Sequence, residues 1–214
     1  DQCFTSDATA GRVNFDLVKD LPLPFADNTF QGIYTSHCLE HLSDDEVEKV
    51  LREAVRVLKP GGVMRINLPD MGMMFDAYDK RDGSFTDWFR NKQHLPGHNW
   101  FKDSWLRLVT RSFAGHVVDL YTDDELYALY KAGTREDFIN EMATRAEDVP
   151  AYLHVPNAHK SYWTAEKLIA KFKLTGVTTV SEQSRGVSRD KTFTNGMVFD
   201  NTLPGKSLIV ECVK

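Results

Sequence analysis

The order of elements in this chain predicts an α/β fold built on a strand-helix-strand unit with a parallel sheet, and three observations carry that prediction. Gly32-Ile33-Tyr34-Thr35 is a β-prone run that follows turn residues. Ser43 to Leu58 opens with a helix-start signal and continues with apolar residues at three-and-four spacing. Lys59-Pro60-Gly61-Gly62 then halts the helix ahead of a second β-prone run, Val63 to Leu68. Two strands joined through a helix make a parallel pair with a right-handed crossover.

Each element follows from local chemistry. Leu23-Pro24-Phe25-Ala26-Asp27-Asn28-Thr29-Phe30 reads as a turn leading into the first interior strand. Ser43 and Glu46 have capping-box spacing, and Asp44, Asp45, Glu46 and Glu48 crowd the end of the helix where its dipole favours negative charge. Val47, Val50, Leu51, Ala54, Val55 and Leu58 give that helix one apolar face for a sheet. Val63 to Leu68 alternates until Pro69-Asp70 breaks it. Upstream, Val13-Asn14-Phe15-Asp16 reads as another short strand that delivers Asp16, and Thr5-Ser6-Asp7 places a second carboxylate similarly.

Between Asp70 and about His159 the chain turns aromatic and helix-rich. Met71 to Tyr78 and Phe85 to Arg90 supply short apolar clusters, and Asp103 to Val109 suggests a helix. Thr122 with Glu125 and Thr134 with Asp137 mark two further helix starts. This predicts a helical insertion over 71–158 that caps the strand ends within a single domain, 1–214. Farther on, Thr164 caps a helix carrying Leu168, Ile169 and Phe172, 185–191 reads as a polar loop, and Ser207 to Cys212 is the last strand.

At 214 residues the chain is long enough for one domain with an insertion, and its net charge of −5 disfavours a general nucleic-acid binder. A small-molecule partner is expected instead. Cys3, Cys38 and Cys212 lack metal or redox spacing, which fits a reducing cytoplasm. No apolar run reaches the length of a membrane span, and no signal-peptide pattern opens the chain.

In open parallel sheets ligands sit outside the carboxyl ends of the strands, which directs attention to Ser36, His37, Leu39, Asp70 and Asp16. The series Leu-Pro-Phe at 23–25, Asp-Asn at 27–28 and Phe30, then Ser36-His37-Cys38-Leu39-Glu40-His41, then Leu58-Lys59-Pro60-Gly61-Gly62, resembles the class I S-adenosylmethionine-dependent methyltransferases, especially the short type 11-like ones. The resemblance covers about Val13 to Asp70. It resumes at His159 to Thr164, and at Phe199-Asp200-Asn201 leading into the last strand. It implies a Rossmann-like, doubly wound, mostly parallel sheet with an antiparallel C-terminal strand, and S-adenosylmethionine as cofactor. By the same likeness Asp16 contacts the adenine edge, Asp7 meets the ribose hydroxyls, and Leu17, Ser36, His37 and Leu39 belong to the cofactor pocket.

The family's glycine-rich turn after a first strand has no counterpart here, since Gly61-Gly62 follows a helix. Because the chain also begins at Asp1 without Met, the first strand and its loop are expected to lie upstream. The alternative is a degenerate domain that serves as an inactive binding or scaffold module. The expected reaction is direct methyl transfer to an oxygen or nitrogen of a small molecule, and a sugar or cell-envelope precursor is the acceptor the resemblance suggests. His37, His41 and His159 are the candidate general bases. His37 to His41 also matches H-x-x-E-H, a spacing that can hold zinc on one helix. His37 falls before the capping Ser43, so a turn is expected instead, and no metal is expected. His94 and His98, around a Pro-Gly turn beside Trp100, read either as a border of the substrate site or as a surface loop. The resemblance puts the turn bearing His159 and Tyr162 near the pocket mouth.

Overall fold

The structure is a computed structural model that describes residues 15–82, 105–148 and 159–214. It divides into two compact units, Asp1–Asp70 with Trp163–Lys214, and Met71–Tyr162.

Among the described residues the first unit carries four strands, β1 (Phe30–Ser36), β2 (Leu58–Pro69), β3 (Thr179–Glu182) and β4 (Ser207–Val213), in the spatial order β1-β2-β4-β3. β1 and β2 are parallel, whereas β4 is antiparallel to both β2 and β3. Three strands therefore run one way and the C-terminal strand runs against them, as the resemblance implied. Helix α1 (Asp44–Val57) makes the crossover from β1 to β2. Its capping box is present: Ser43 Oγ accepts from Glu46 N at 3.3 Å and Ser43 N donates to Glu46 Oε2 at 2.8 Å.

The turn before β1 is fastened to α1 through one arginine. Arg56 donates to the carbonyls of Leu23 (3.0 Å) and Phe25 (2.9 Å) and to the carboxylates of Asp27 (2.7 Å) and Glu53 (2.9 Å). Glu53 in turn accepts from Leu23 N at 2.9 Å. The Pro-Gly-Gly stretch differs from its expected role as a plain break between helix and strand, because β2 already begins at Leu58 and runs through it. Gly61 takes φ +76°, and a Cβ on Gly62 would come within 2.8 Å of the Gln31 carbonyl oxygen, so the two glycines let β2 lie close against β1.

Alternation assigns the sheet two unlike faces. Met64, Ile66 and Leu68 of β2 and Leu208, Val210 and Cys212 of β4 join the buried apolar cluster formed with α1 and α6 (Ala165–Lys173), which includes Leu51, Trp163, Leu168 and Phe172. Thr164 caps α6 as expected, accepting from Lys167 N at 3.2 Å. On the other face lie Tyr34, Arg65, Asn67 and Glu211, with Arg65 opposite both Tyr34 and Glu211. The chain between β3 and β4 closes over Arg65: its guanidinium donates to Asp200 (2.6 Å), Glu211 (2.6 Å) and the carbonyls of Val187 (2.8 Å) and Ser184 (3.2 Å). Burial alone pulls the guanidinium's proton affinity down, but the two carboxylates outweigh it and raise the pKa. All six residues from Val63 to Leu68 are buried, because both faces of β2 are covered.

The second unit is helical: α2 (Met71–Asp79), α3 (Trp105–Ala114), a 3-10 turn (Gly115–Leu120), α4 (Asp123–Ala132) and α5 (Arg135–Asp148). Its core joins Phe75, Phe113, Tyr130 and Phe138, with Phe75 and Tyr130 stacked at 5.9 Å. Thr122 and Glu125 form the expected capping box. Thr134 and Asp137 bond reciprocally at the start of α5. Met71 to Asp79, read as an apolar cluster, is a full helix. Among the described residues no helix is long and apolar enough to cross a membrane.

Candidate functional site

At the carboxyl end of β1 the chain leaves the sheet through Ser36 and His37, and there the polar groups of the first unit converge. Ser36 lies opposite Asn67 of β2, so their side chains share the sheet face that also carries Arg65. His37 N donates to the Asn67 carbonyl at 2.9 Å and adopts φ +47°, a left-handed backbone that a non-glycine residue takes up at a cost. The bend redirects the imidazole. Its Nε2 lies 2.8 Å from Ser207 Oγ, the first residue of β4, and its Nδ1 lies 3.4 Å from Glu40 Oε1. Because β2 sits between β1 and β4, this ring bridges the end of β2.

Several polar atoms here are buried with no hydrogen-bond partner among the described residues: Ser36 Oγ, Glu40 Oε2 and both amide atoms of Asn67. Glu40 is 2% exposed and Asn67 is 0% exposed. Unsatisfied buried groups of this kind cost about 1–3 kcal/mol each, so they mark a place built to receive another polar partner. Their donor and acceptor mix suits the polar groups of a nucleoside or amino-acid-bearing cofactor, and the residues present therefore fit such a ligand.

The other expected site residues fall as follows. Asp16 forms a single β-bridge and heads a turn, where its Oδ1 accepts from Val18 N (2.9 Å) and Lys19 N (3.1 Å). Those two backbone donors, Val18 first, hold its carboxyl below the usual range, so it is ionised at neutral pH. One of its oxygens is thus committed to local structure, while Oδ2 lies 3.4 Å from Lys19 Nζ. Leu17 packs partly buried against the apolar cluster beneath the sheet. Leu39, at 1% exposure, opens the 3-10 turn Leu39–His41 and packs within that cluster. Asp70 N donates to the Lys206 carbonyl at 2.8 Å, which ties the end of β2 to the start of β4.

His37 and His41 do not share a helix, since the H-x-x-E-H residues run through a left-handed bend and one 3-10 turn. His41 N closes that turn on the Cys38 carbonyl at 3.2 Å. His159 belongs to the second unit, where its Nδ1 bonds the Ser112 carbonyl. In the same unit Tyr162 donates to Asn140 Oδ1 at 3.2 Å. Asp7, Cys3, and the His94 and His98 pair with Trp100 lie outside the described residues.

Glu40, Asn67 and Ser207 were not read from the sequence as site residues. A signal existed for Asn67, a lone amide inside the β-run Arg65-Ile66-Asn67-Leu68. Ser207 carried none, because its meeting with His37 spans 170 positions.

Residues 5–66 match the family model described as a methyltransferase domain. Among similar curated proteins, the methyltransferase GfsG of Streptomyces halstedii is 39% identical over 61 residues, covering 28% of this chain and 21% of that protein. Norajmaline N-methyltransferase of Rauvolfia serpentina is 44% identical over 50 residues, 23% and 16% of the two chains. The ubiquinone/menaquinone biosynthesis C-methyltransferase UbiE of Klebsiella pneumoniae is 42% identical over 72 residues, 32% and 28% of the two chains. The matched segments thus span no more than 28% of the length of these relatives. A solved S-adenosylmethionine-dependent methyltransferase from Archaeoglobus fulgidus superposes with a TM-score of 0.40 and 13% identity, over 94% of this chain and 66% of that one. Residues 5–66, the segment that carries Asp16, Ser36 and His37, are thus similar to a methyltransferase domain.

Proposed function

We propose that the protein transfers a methyl group from S-adenosylmethionine to an oxygen or nitrogen of a small molecule. The observation that supports this most is the set of buried, unpartnered polar atoms on Ser36, Glu40 and Asn67 at the carboxyl ends of β1 and β2, where open parallel sheets take their ligands. When bound, the cofactor supplies an electrophilic sulfonium methyl, so no covalent enzyme intermediate is needed.

The chain's own task is to hold, orient and exclude water. Ser36 and Asn67 provide donors and acceptors on one sheet face, and Asp16 offers an ionised carboxylate for an amine edge such as that of adenine. Asp7 remains the proposed partner of the ribose hydroxyls, and Leu17 a wall of the pocket. Of the three histidines, His37 is the one at a strand end with both ring nitrogens next to polar side chains. A sugar or cell-envelope precursor is the acceptor class we favour, on family resemblance.

The direct test is calorimetric titration of the full-length protein with S-adenosylhomocysteine. Saturable binding, weakened by Asp16→Ala, is the expected result. Unchanged affinity in that variant removes Asp16 from the site, and no binding to the parent protein refutes the proposal in favour of an inactive, methyltransferase-like module.

A further inference from the structure

We propose that Glu40, His37 and Ser207 form a proton-holding chain across the carboxyl end of the sheet, in which Ser207 relays the proton released by the methyl acceptor to His37 while Glu40 positions the ring. This rests on the methyl-transfer reading above and adds two residues to it. A proton acceptor must be stable in both its charge states, so the useful question is whether one arrangement of heavy atoms satisfies imidazole and imidazolium alike.

This one does. In the neutral state Nδ1 carries the hydrogen and faces the buried Glu40 carboxylate at 3.4 Å, while the Ser207 hydroxyl donates to Nε2 at 2.8 Å. In the charged state Nε2 donates back to Ser207 Oγ. The serine hydrogen then turns to the carbonyl of Thr202 or Leu203, each 3.1 Å from Oγ. Neither change moves a heavy atom, and the buried Glu40 carboxylate lies where it offsets the added charge. Two left-handed residues, His37 at φ +47° and Leu203 at φ +45°, flank the Ser207 contact and fix its geometry from both sides.

The proton balance is complete. The acceptor's O–H or N–H bond breaks, its proton passes to Ser207 Oγ, and the serine hydrogen passes to Nε2. The electron pair left on the acceptor atom forms the bond to the methyl carbon, and the C–S pair returns to sulfur. The products are the methylated acceptor, a thioether and an imidazolium held by Glu40. A serine-histidine-carboxylate group can also attack carbonyls. Here two carbonyl oxygens already lie within hydrogen-bond reach of Ser207 Oγ and would oppose a developing alkoxide, so the trio suits proton transfer rather than acylation.

The experiment is long-range proton-nitrogen NMR of the full-length, nitrogen-15-labelled protein, at a pH where the His37 ring is neutral. His37→Gln assigns the signals. The expected result is hydrogen on Nδ1 in the parent protein, transfer of most of the population to the Nε2–H tautomer in Glu40→Gln, and retention of the Nδ1–H form in Glu40→Asp. Ser207→Ala should shift the Nε2 resonance and leave Nδ1 protonated. An Nε2–H tautomer in the parent, or an unchanged ring in both Glu40→Gln and Ser207→Ala, overturns the proposal. Titration of the parent with S-adenosylhomocysteine separates the two readings, since its failure removes methyl transfer while the tautomer still reports on the chain.

Discussion

The two faces of the sheet are held by opposite physics. Under α1 and α6, Met64, Ile66, Leu68 and their β4 neighbours are covered by apolar side chains whose contribution scales with area and tolerates adjustment. On the other face one guanidinium, Arg65, gathers two carboxylates and two carbonyls contributed by the chain between β3 and β4 and by β4 itself. That face has a stoichiometry: remove one member and the others are left charged and dry. The difference teaches that the apolar face sets how much stability the sheet has, whereas the polar face sets which conformation the chain from 183 to 206 adopts.

Breaking the Arg65 cluster should give the largest effect. Arg65→Met leaves Asp200 and Glu211 buried without their cation, and we expect a loss of about 3–5 kcal/mol in urea unfolding. Combining it with Asp200→Leu and Glu211→Leu should restore much of that loss, because no unpaired charge then remains. A triple variant as unstable as Arg65→Met would refute the assignment of that loss to stranded charge. On the apolar face, Leu51→Ala removes a fully buried side chain and should cost about 2–5 kcal/mol, with nothing restored by a second truncation nearby.

Lys206, next to the first residue of β4, gives a pH-dependent case. Burial pulls its ammonium down to about 6. The unfolded chain keeps that proton up to about 10.4, so between those values the unfolded state holds more protons and stability rises with pH. Lys206→Met should therefore be the more stable protein at pH 7, by on the order of 2 kcal/mol, and its stability should vary less from pH 6 to 10. Chemical denaturation across that range checks the sign. Smaller still, Ser43→Ala loses the α1 cap and should cost about 1 kcal/mol. The smallest change belongs to Glu48→Gln, which removes the surface pairs with Arg52 and Lys171; any loss should shrink further at high salt.

What could be read in advance divides along the same line. Ser43 with Glu46, Thr122 with Glu125, and Thr164 act within a few residues, so their caps were visible in the sequence. Strand β3 was not, because four residues acquire their strand character from β4, 28 to 34 positions on. Met71 to Asp79 carries no cap signal, and its helix is supported by the packing of Phe75 and Tyr78 in the second unit. Local sequence does not show Arg65 to be buried; what buries it is a segment 119 to 135 positions away. The site shows the same division: Ser36 and His37 follow from strand-end logic, whereas Ser207 reaches them only through the sheet order β1-β2-β4.

The left-handed bend at His37 sets backbone strain against the imidazole's contacts at a single position. Glycine would occupy that backbone without steric penalty, so His37→Gly relaxes the bend while erasing the imidazole. A glycine here would therefore trade relief of that strain against loss of the imidazole's contacts with Ser207 and Glu40.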